Sequence, residues 1–184
     1  MTKHTVQLPS GGTAGFDSKE ELDFFHWCMD AVAEGIIARL EYHTVCFRLA
    51  ERVSVPHMKV LKTKTKLVEK FLLHPAEYTP DFVLQKGPHW YLAQEQLWSH
   101  PEDGECYVDV KGQFSPFHDD KSFSLVQKWV WQRHGKYINK VVPAKFFKKL
   151  WCPDNCRIGK SGKELKAYKG LPTREDFRKG TINK

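Results

Sequence analysis

The chain has 184 residues, 41% of them hydrophobic and 28% charged, with a net charge of +7. That is one domain with elaborations, large enough for a proper core. No apolar run approaches the ~20 residues of a membrane span and nothing resembles a signal peptide, so the expectation is a soluble, cytoplasmic protein with no membrane partner. Five cysteines, odd in number and irregularly spaced, argue against a disulfide framework.

Residues 1–12 read as a loose start, with a turn at Gly11-Gly12. Ser18-Lys19-Glu20-Glu21 is a capping box, and it predicts a helix over about 19–33 with Leu22, Phe25, Met29, Val32 and Ala33 as a core stripe. One or two strands follow from Ile37 to Val55, with Ala38, Leu40, Tyr42 and Thr44 on one side and Pro56 as an interruption. Strand-like segments cover about 59–73 and 77–84. Within the first, Lys62-Thr63-Lys64-Thr65-Lys66 alternates, so as a strand it would set Lys62, Lys64 and Lys66 on one face, with Lys59 and Lys70 extending the charge. Such a strand is either an arm that grips a phosphate backbone or an edge guarded from aggregation by lysines.

Residues 85–105, with Pro88, Trp90, Trp98 and Pro101, read as an insertion, either a longer hairpin or a lid. A strand through Asp109 ends at Gly112. After a loop, a helix over about 121–133 carries Phe123, Val126, Trp129 and Val130 inward and stops at Gly135. His118-Asp119-Asp120 reads as a turn and cap for that helix rather than a second metal site. A last core strand spans about 136–142. Cys28 and Cys46, in apolar settings, are expected to be buried thiols. Cys152 and Cys156 form a C-x3-C pair that could join zinc with Cys106 or a histidine, although structural zinc usually shows two paired ligand sets.

The chemistry is concentrated in two segments. Tyr78-Thr79-Pro80-Asp81-Phe82 and Val108-Asp109-Val110-Lys111-Gly112 are both β-rich, so neighbouring strands would set Asp81 beside Asp109. Asp109 and Lys111 stand two apart on one strand and share a face. Two carboxylates and one lysine are what a magnesium-dependent phosphodiesterase needs: acids for the metal, and a cation for the attacking water or the charge on phosphorus. Either piece alone is commonly a turn or a weak surface ion pair. Glu21 is a candidate fourth member, although a capping glutamate needs no catalytic role.

These residues resemble the PD-(D/E)xK nucleases of the restriction-endonuclease-like fold, and more narrowly the phage-type endonuclease I class of Holliday-junction resolvases. Phe16-Asp17-Ser18-Lys19-Glu20-Glu21 is similar to the family's glutamate-bearing helix, and the Asp81 and Asp109 segments to its two metal-site strands. A weaker likeness runs on through about 121–144, so that roughly 13–150 is covered. Two features depart from the pattern: Asp81 and Asp109 lie 28 positions apart, where compact members have a short hairpin, and the middle acid is Asp where many have Glu.

The resemblance implies an α/β fold with an αβββαβ core, a mixed central sheet flanked by helices. A nuclease domain would occupy 1–150, and a basic C-terminal extension 151–184. It implies a Mg2+-dependent endonuclease, with Mn2+ able to substitute, in a bacterial or phage-infected cell. Asp81, Asp109, the carbonyl of Val110 and Glu21 would hold metal, and Lys111 would orient water for in-line attack that leaves a 5′-phosphate. The substrate expected is branched double-stranded DNA, cut by a homodimer. A sequence-specific restriction or homing endonuclease, or a non-catalytic DNA-binding protein, are the alternatives.

Charge distribution agrees with a nucleic-acid partner. Residues 133–184 carry 15 Lys and Arg against four acids, whereas the first 132 residues carry 14 against 18. A basic stretch binds phosphates by releasing their counterions, or is only a solvated tail. Phe146, Phe147, Trp151, Tyr168 and Phe177, interleaved with that charge, suggest that part of it packs or stacks. Gln113, Lys121 and Lys128 are further candidates for DNA contact.

Overall fold

The computed structural model describes residues 4–7, 13–112, 117–159 and 162–180, apart from the side chains of residues 7 and 117–120. In chain order the elements are β1 (His4–Gln7), β2 (Thr13–Phe16), α1 (Lys19–Ala33), β3 (Ile37–Tyr42), β4 (Phe47–Ala50), β5 (Val53–Val60), β6 (Thr65–Leu73), β7 (Ala76–Tyr78) and β8 (Phe82–Lys86). A 3-10 turn (Trp90–Leu92) precedes β9 (Glu105–Val110), α2 (Phe117–His134), β10 (Ile138–Val141), α3 (Pro143–Phe146), α4 (Asp154–Arg157) and α5 (Arg174–Arg178).

The central sheet has the order β10-β9-β8-β3. β3 and β9 each pair antiparallel with β8, and β10 pairs parallel with β9. A parallel neighbour cannot be reached by a tight turn, and α2 supplies the crossover. The fold is thus mixed α/β around a mixed four-stranded sheet, with α1 before β3, the strands β4 to β7 between β3 and β8, and α2 between β9 and β10.

Side-chain alternation divides the core between the two sheet faces. Phe82, Leu84, Cys106, Val108, Val110 and Val141 meet α1 through Phe24, Phe25, Cys28 and Ala31. Val83, Tyr107 and Ile138 turn the other way and meet Phe47, Leu49 and Val130 of α2. Ser18 caps α1, its hydroxyl accepting from Glu21 N at 3.1 Å. Gly35, at φ +70°, ends it, and Ile36 N donates back to Ala31 O.

Several expectations change. The chain between Asp81 and Asp109 is no lid: Trp90, Ala93 and Leu97 enter the main core, and buried Asn139 holds the Trp98 backbone at both N and O, each at 2.8 Å. The larger excursion lies earlier, between β3 and β8, as the β4–β7 pair and the long β5–β6 ribbon. Pro56 lies within β5 instead of interrupting it, which a two-stranded ribbon tolerates because each strand has one free edge. α1 buries Phe24, Trp27, Cys28 and Ala31 rather than Val32, because C-terminal residues cover a second side of the helix. Trp129 of α2 is partly exposed, and Cys46 is exposed.

The basic extension is folded onto α1. Trp151, Cys152, Cys156 and Tyr168 are buried in the main core, and Trp151 Nε1 donates to Asp30 Oδ2 at 3.1 Å. Tyr168 Oη donates to buried Asp23 Oδ2 at 2.5 Å. Arg174 and Arg178 pair with Asp30 and Glu34, so part of the cationic charge is spent inside the molecule. Trp151→Ala should therefore cost about 3–5 kcal/mol in urea unfolding, as removal of a core aromatic does. A change under about 1 kcal/mol would mean that the extension is not part of the core.

Candidate functional site

β8 and β9 place the two acids. Their register pairs Phe82 with Val108, which sets Asp81 opposite Asp109 at the end of the ladder and on the same face. Asp81 Oδ2 accepts from Val110 N at 2.6 Å, so one carboxylate continues the ladder that β8 no longer supplies. Its Oδ1 lies 3.3 Å from His43 Nε2, and its carbonyl accepts from His43 N at 3.1 Å.

Asp109 is 3% exposed on a strand whose neighbours are all buried. Tyr78 Oη donates to its Oδ1 at 2.8 Å. Lys111 Nζ lies 2.7 Å from Oδ2, so an ammonium faces this buried oxygen. The shared face of Asp109 and Lys111 is as the strand period predicts.

Glu21 joins from the first turn of α1. It is 7% exposed; Oε1 accepts from the Ser18 hydroxyl at 2.7 Å, and Oε2 from the Tyr42 hydroxyl at 2.7 Å and Asp17 N at 3.2 Å. The capping role is real. The contact with Tyr42 of β3 goes beyond capping and fixes Glu21 toward the sheet. Glu20 stands on the same turn, close to Gly112.

The electrostatics follow from this crowding. Burial pushes the Asp81 carboxyl up to about 6; the Val110 N–H opposes this, while the charges of Asp109 and Glu21 add to it. Burial, then the Asp109 charge, pushes the Tyr78 hydroxyl well up, so it stays a proton donor. Burial and the bond to Glu21 do the same for Tyr42.

The structure thus brings together Asp81, Asp109 and Lys111, with the Val110 backbone between the acids, whereas the ligand atoms of Glu21 group with Asp17 and His43, within 4.8 Å of one another, and its charge reaches Asp81. Sequence reasoning missed Tyr78, Tyr42, Asp17 and His43 as neighbours of the acids. Tyr78 was legible only as part of the β-rich run before Asp81, and His43 carries no local signal at all.

The predicted DNA-contacting residues are scattered more widely. Lys62 and Lys64 lie in the turn between β5 and β6, closed by Leu61 N to Lys64 O, rather than in a strand. Only Lys66 is in β6, opposite Lys59. The lysine face of the ribbon is therefore Lys59, Lys66 and Lys70, not Lys62, Lys64 and Lys66. Lys121 and Lys128 are exposed on α2. Gln113 and the side chains of His118, Asp119 and Asp120 lie outside the described residues.

The thiols do not assemble a zinc site. Cys106 contacts Asn139 Nδ2, whereas Cys156 Sγ lies against the Asp23 carbonyl. Among the described residues, the C-x3-C pair gathers no third ligand. Burial pushes Cys152 up to about 12, far from thiolate. No helix is long and apolar enough to cross a membrane among the described residues. Comparison with known protein families, curated proteins and solved structures finds no match to this chain.

The raised Asp81 group binds its proton more tightly folded than unfolded. Its stabilising effect is complete below about pH 4 and is lost as the pH rises through about 6. In EDTA at pH 7.5, Asp81→Asn should accordingly be more stable than wild type, by on the order of 1–3 kcal/mol, with the gap closing near pH 4. Thermal melts across that range check this; a variant destabilised equally at every pH would contradict it.

Proposed function

We propose that the protein is a Mg2+-dependent DNA endonuclease built on a restriction-endonuclease-like core, with branched double-stranded DNA as its substrate. The observation that carries this reading is the Asp81–Asp109 pair across β8 and β9, with Asp109 buried and its Oδ2 paired to Lys111 at 2.7 Å. A surface ion pair would not bury its carboxylate to 3% exposure, because burying a charge costs free energy. Oxygen donors of this kind suit a hard divalent cation. The element order and the mixed sheet support the core assignment.

In this reading Asp81, Asp109, the Val110 carbonyl and Glu21 would hold the ion, and Mn2+ would substitute for Mg2+. When bound, the ion polarises the phosphate and stabilises charge on the attacking and leaving oxygens. Lys111, tethered to Asp109, orients the attacking water. Tyr78, as a donor to Asp109 Oδ1, holds the carboxylate with its other oxygen on Lys111. Cutting two strands of a junction calls for two such sites, hence a homodimer.

The ribbon supplies an electrostatic grip. The pairs Val55–Lys70, His57–Val68 and Lys59–Lys66 share one face, so three lysines and a histidine stand on it. Its root leads through β7, whose Tyr78 reaches Asp109, which ties the arm to the site.

The deciding experiment incubates matched linear, nicked and four-way-junction DNA with Mg2+. Wild type should cut the junction, and Lys111→Ala and Asp109→Asn should each lose at least about 100-fold in rate with binding retained. Cutting of one short linear sequence would replace the resolvase by a sequence-specific nuclease, and no cutting of any substrate would leave a DNA-binding protein. Replacing Lys59, Lys66 and Lys70 by Gln together should lower the slope of log affinity against log salt by about 2–3 without altering metal dependence. An unchanged slope would remove the ribbon from the DNA interface.

A further inference from the structure

A cavity of about 590 Å³ opens at the β10 edge of the central sheet. Three aromatic rings line it: Trp98 from the chain before β9, Trp131 from α2, and Tyr137 from the residue before β10. They are 41%, 52% and 40% exposed, in a chain that buries Trp27 and Trp151 completely. Their positions are fixed from beneath. Buried Asn139 accepts from Trp98 N and donates to Trp98 O, and its amide also donates to Tyr107 O at 3.0 Å. The Trp98 ring stands nearly perpendicular to Tyr137, at 77° and 5.6 Å between centroids, and to His100, at 83° and 5.7 Å. Gln127, one turn before Trp131, donates to Ile138 O at 2.7 Å and so ties this side of α2 to β10.

The rim is polar. Gln94, Glu95 and Gln96 supply amide donors and carbonyl and carboxylate acceptors, and among the described residues their side chains have no hydrogen-bond or ion-pair partner. Lys128, three residues before Trp131 and on the same side of α2, is exposed and adds a positive charge. A concave site of this size, walled by aromatic rings and carrying a few polar groups, suits one small flat ligand rather than a protein face, which needs a far larger surface. Aromatic walls bind ring faces, amides bind a ring edge, and the neighbouring cation suits an attached phosphate. A nucleotide has all three parts, whereas a neutral sugar leaves the lysine unused.

We propose that the Trp98–Trp131–Tyr137 cavity holds an unpaired nucleobase of a DNA strand. A base inside a duplex has both faces stacked and its pairing edge covered, so only one that has left the stack enters. The cavity thus gives the protein a means of selecting DNA with interrupted pairing. Neither the acids nor the ribbon lysines supply one, because phosphates are alike in every strand. Asn139, in the cavity wall, pairs with Val108, one rung from the Lys140–Asp109 pair, so the cavity lies on the same sheet as the acids. The inference rests on DNA as the substrate, but base binding is measurable in EDTA, without cleavage.

The test compares, in EDTA, the affinity of the full-length protein for a short oligothymidylate and for an abasic strand of equal length and charge. Wild type should bind the oligothymidylate about tenfold tighter or more. Trp131→Ala and Tyr137→Ala should each remove most of that preference, leave affinity for the abasic strand within about twofold, and melt as wild type does, while Trp131→Phe should keep the preference. Equal affinity of wild type for the two strands, or a preference indifferent to Trp131 and Tyr137, would overturn the inference. So would a neutral oligosaccharide that binds wild type and is lost with Trp131→Ala. A preference intact in a protein that cuts no DNA in Mg2+ would overturn the nuclease and keep the base site, and junction cutting without the preference would do the opposite. No binding of either strand would overturn both.

Discussion

The hydrogen bond from Val110 N–H to Asp81 Oδ2, 2.6 Å long, joins the fold to the site. β8 ends its regular pairing at Phe82, and the next rung of the ladder is made by a side chain instead of a backbone carbonyl. That substitution brings a carboxylate over the end of β9, opposite Asp109, where two negative charges would otherwise separate. The donor stabilises ionised Asp81 against burial and against its neighbours, although burial still prevails. The remaining contacts follow from this one: Tyr78 reaches Asp109 because β7 enters just before it, and His43 reaches Asp81 because β3 is the other neighbour of β8.

A core this apolar around charged groups gives the site rigidity. Val108 and Val110 pack against α1, and Tyr107 against the opposite layer, so the backbone that carries Asp109 is clamped from both faces. The side chain between these anchors cannot move to water without breaking the sheet. Its Oδ2 is met there by the Lys111 ammonium at 2.7 Å, so the buried charge is paired. α1 plays a matching part. Its capping interaction and its contact with Tyr42 use the same carboxylate, so local helix formation and site assembly depend on Glu21 together.

The ribbon is stabilised differently. β5 and β6 pair along their whole length, yet Met58, Val60 and Leu67 are 57%, 78% and 68% exposed. An isolated two-stranded ribbon is marginal in water. Its order comes from its register and from its root at β4 and β7, and the lysines opposite the apolar face discourage edge-to-edge association. In contrast, the C-terminal segment packs as its interleaved aromatic residues suggest: it is anchored by Trp151 and Tyr168 and by arginines that pair with α1.

Short-range information was enough for the elements that carry the acids. Capping at Ser18 and the β-rich run through Asp109 marked α1 and β9, and with β9 the common face of Asp109 and Lys111, whereas the single strand expected over 77–84 is two, β7 and β8, broken around Pro80. The mixed α/β character was readable as well, but β1, β2 and the short helices α3, α4 and α5 were not, because segments of four or five residues carry too little periodicity. The sequence by itself could not show that 87–104 enters the core, that Lys62 and Lys64 turn a corner, or that Glu21 meets Tyr42. Nor could it join Asp17 and His43, 26 residues apart, to one another. Those facts depend on strand register and on which faces meet, and both are settled by the burial of the whole chain rather than by any local preference.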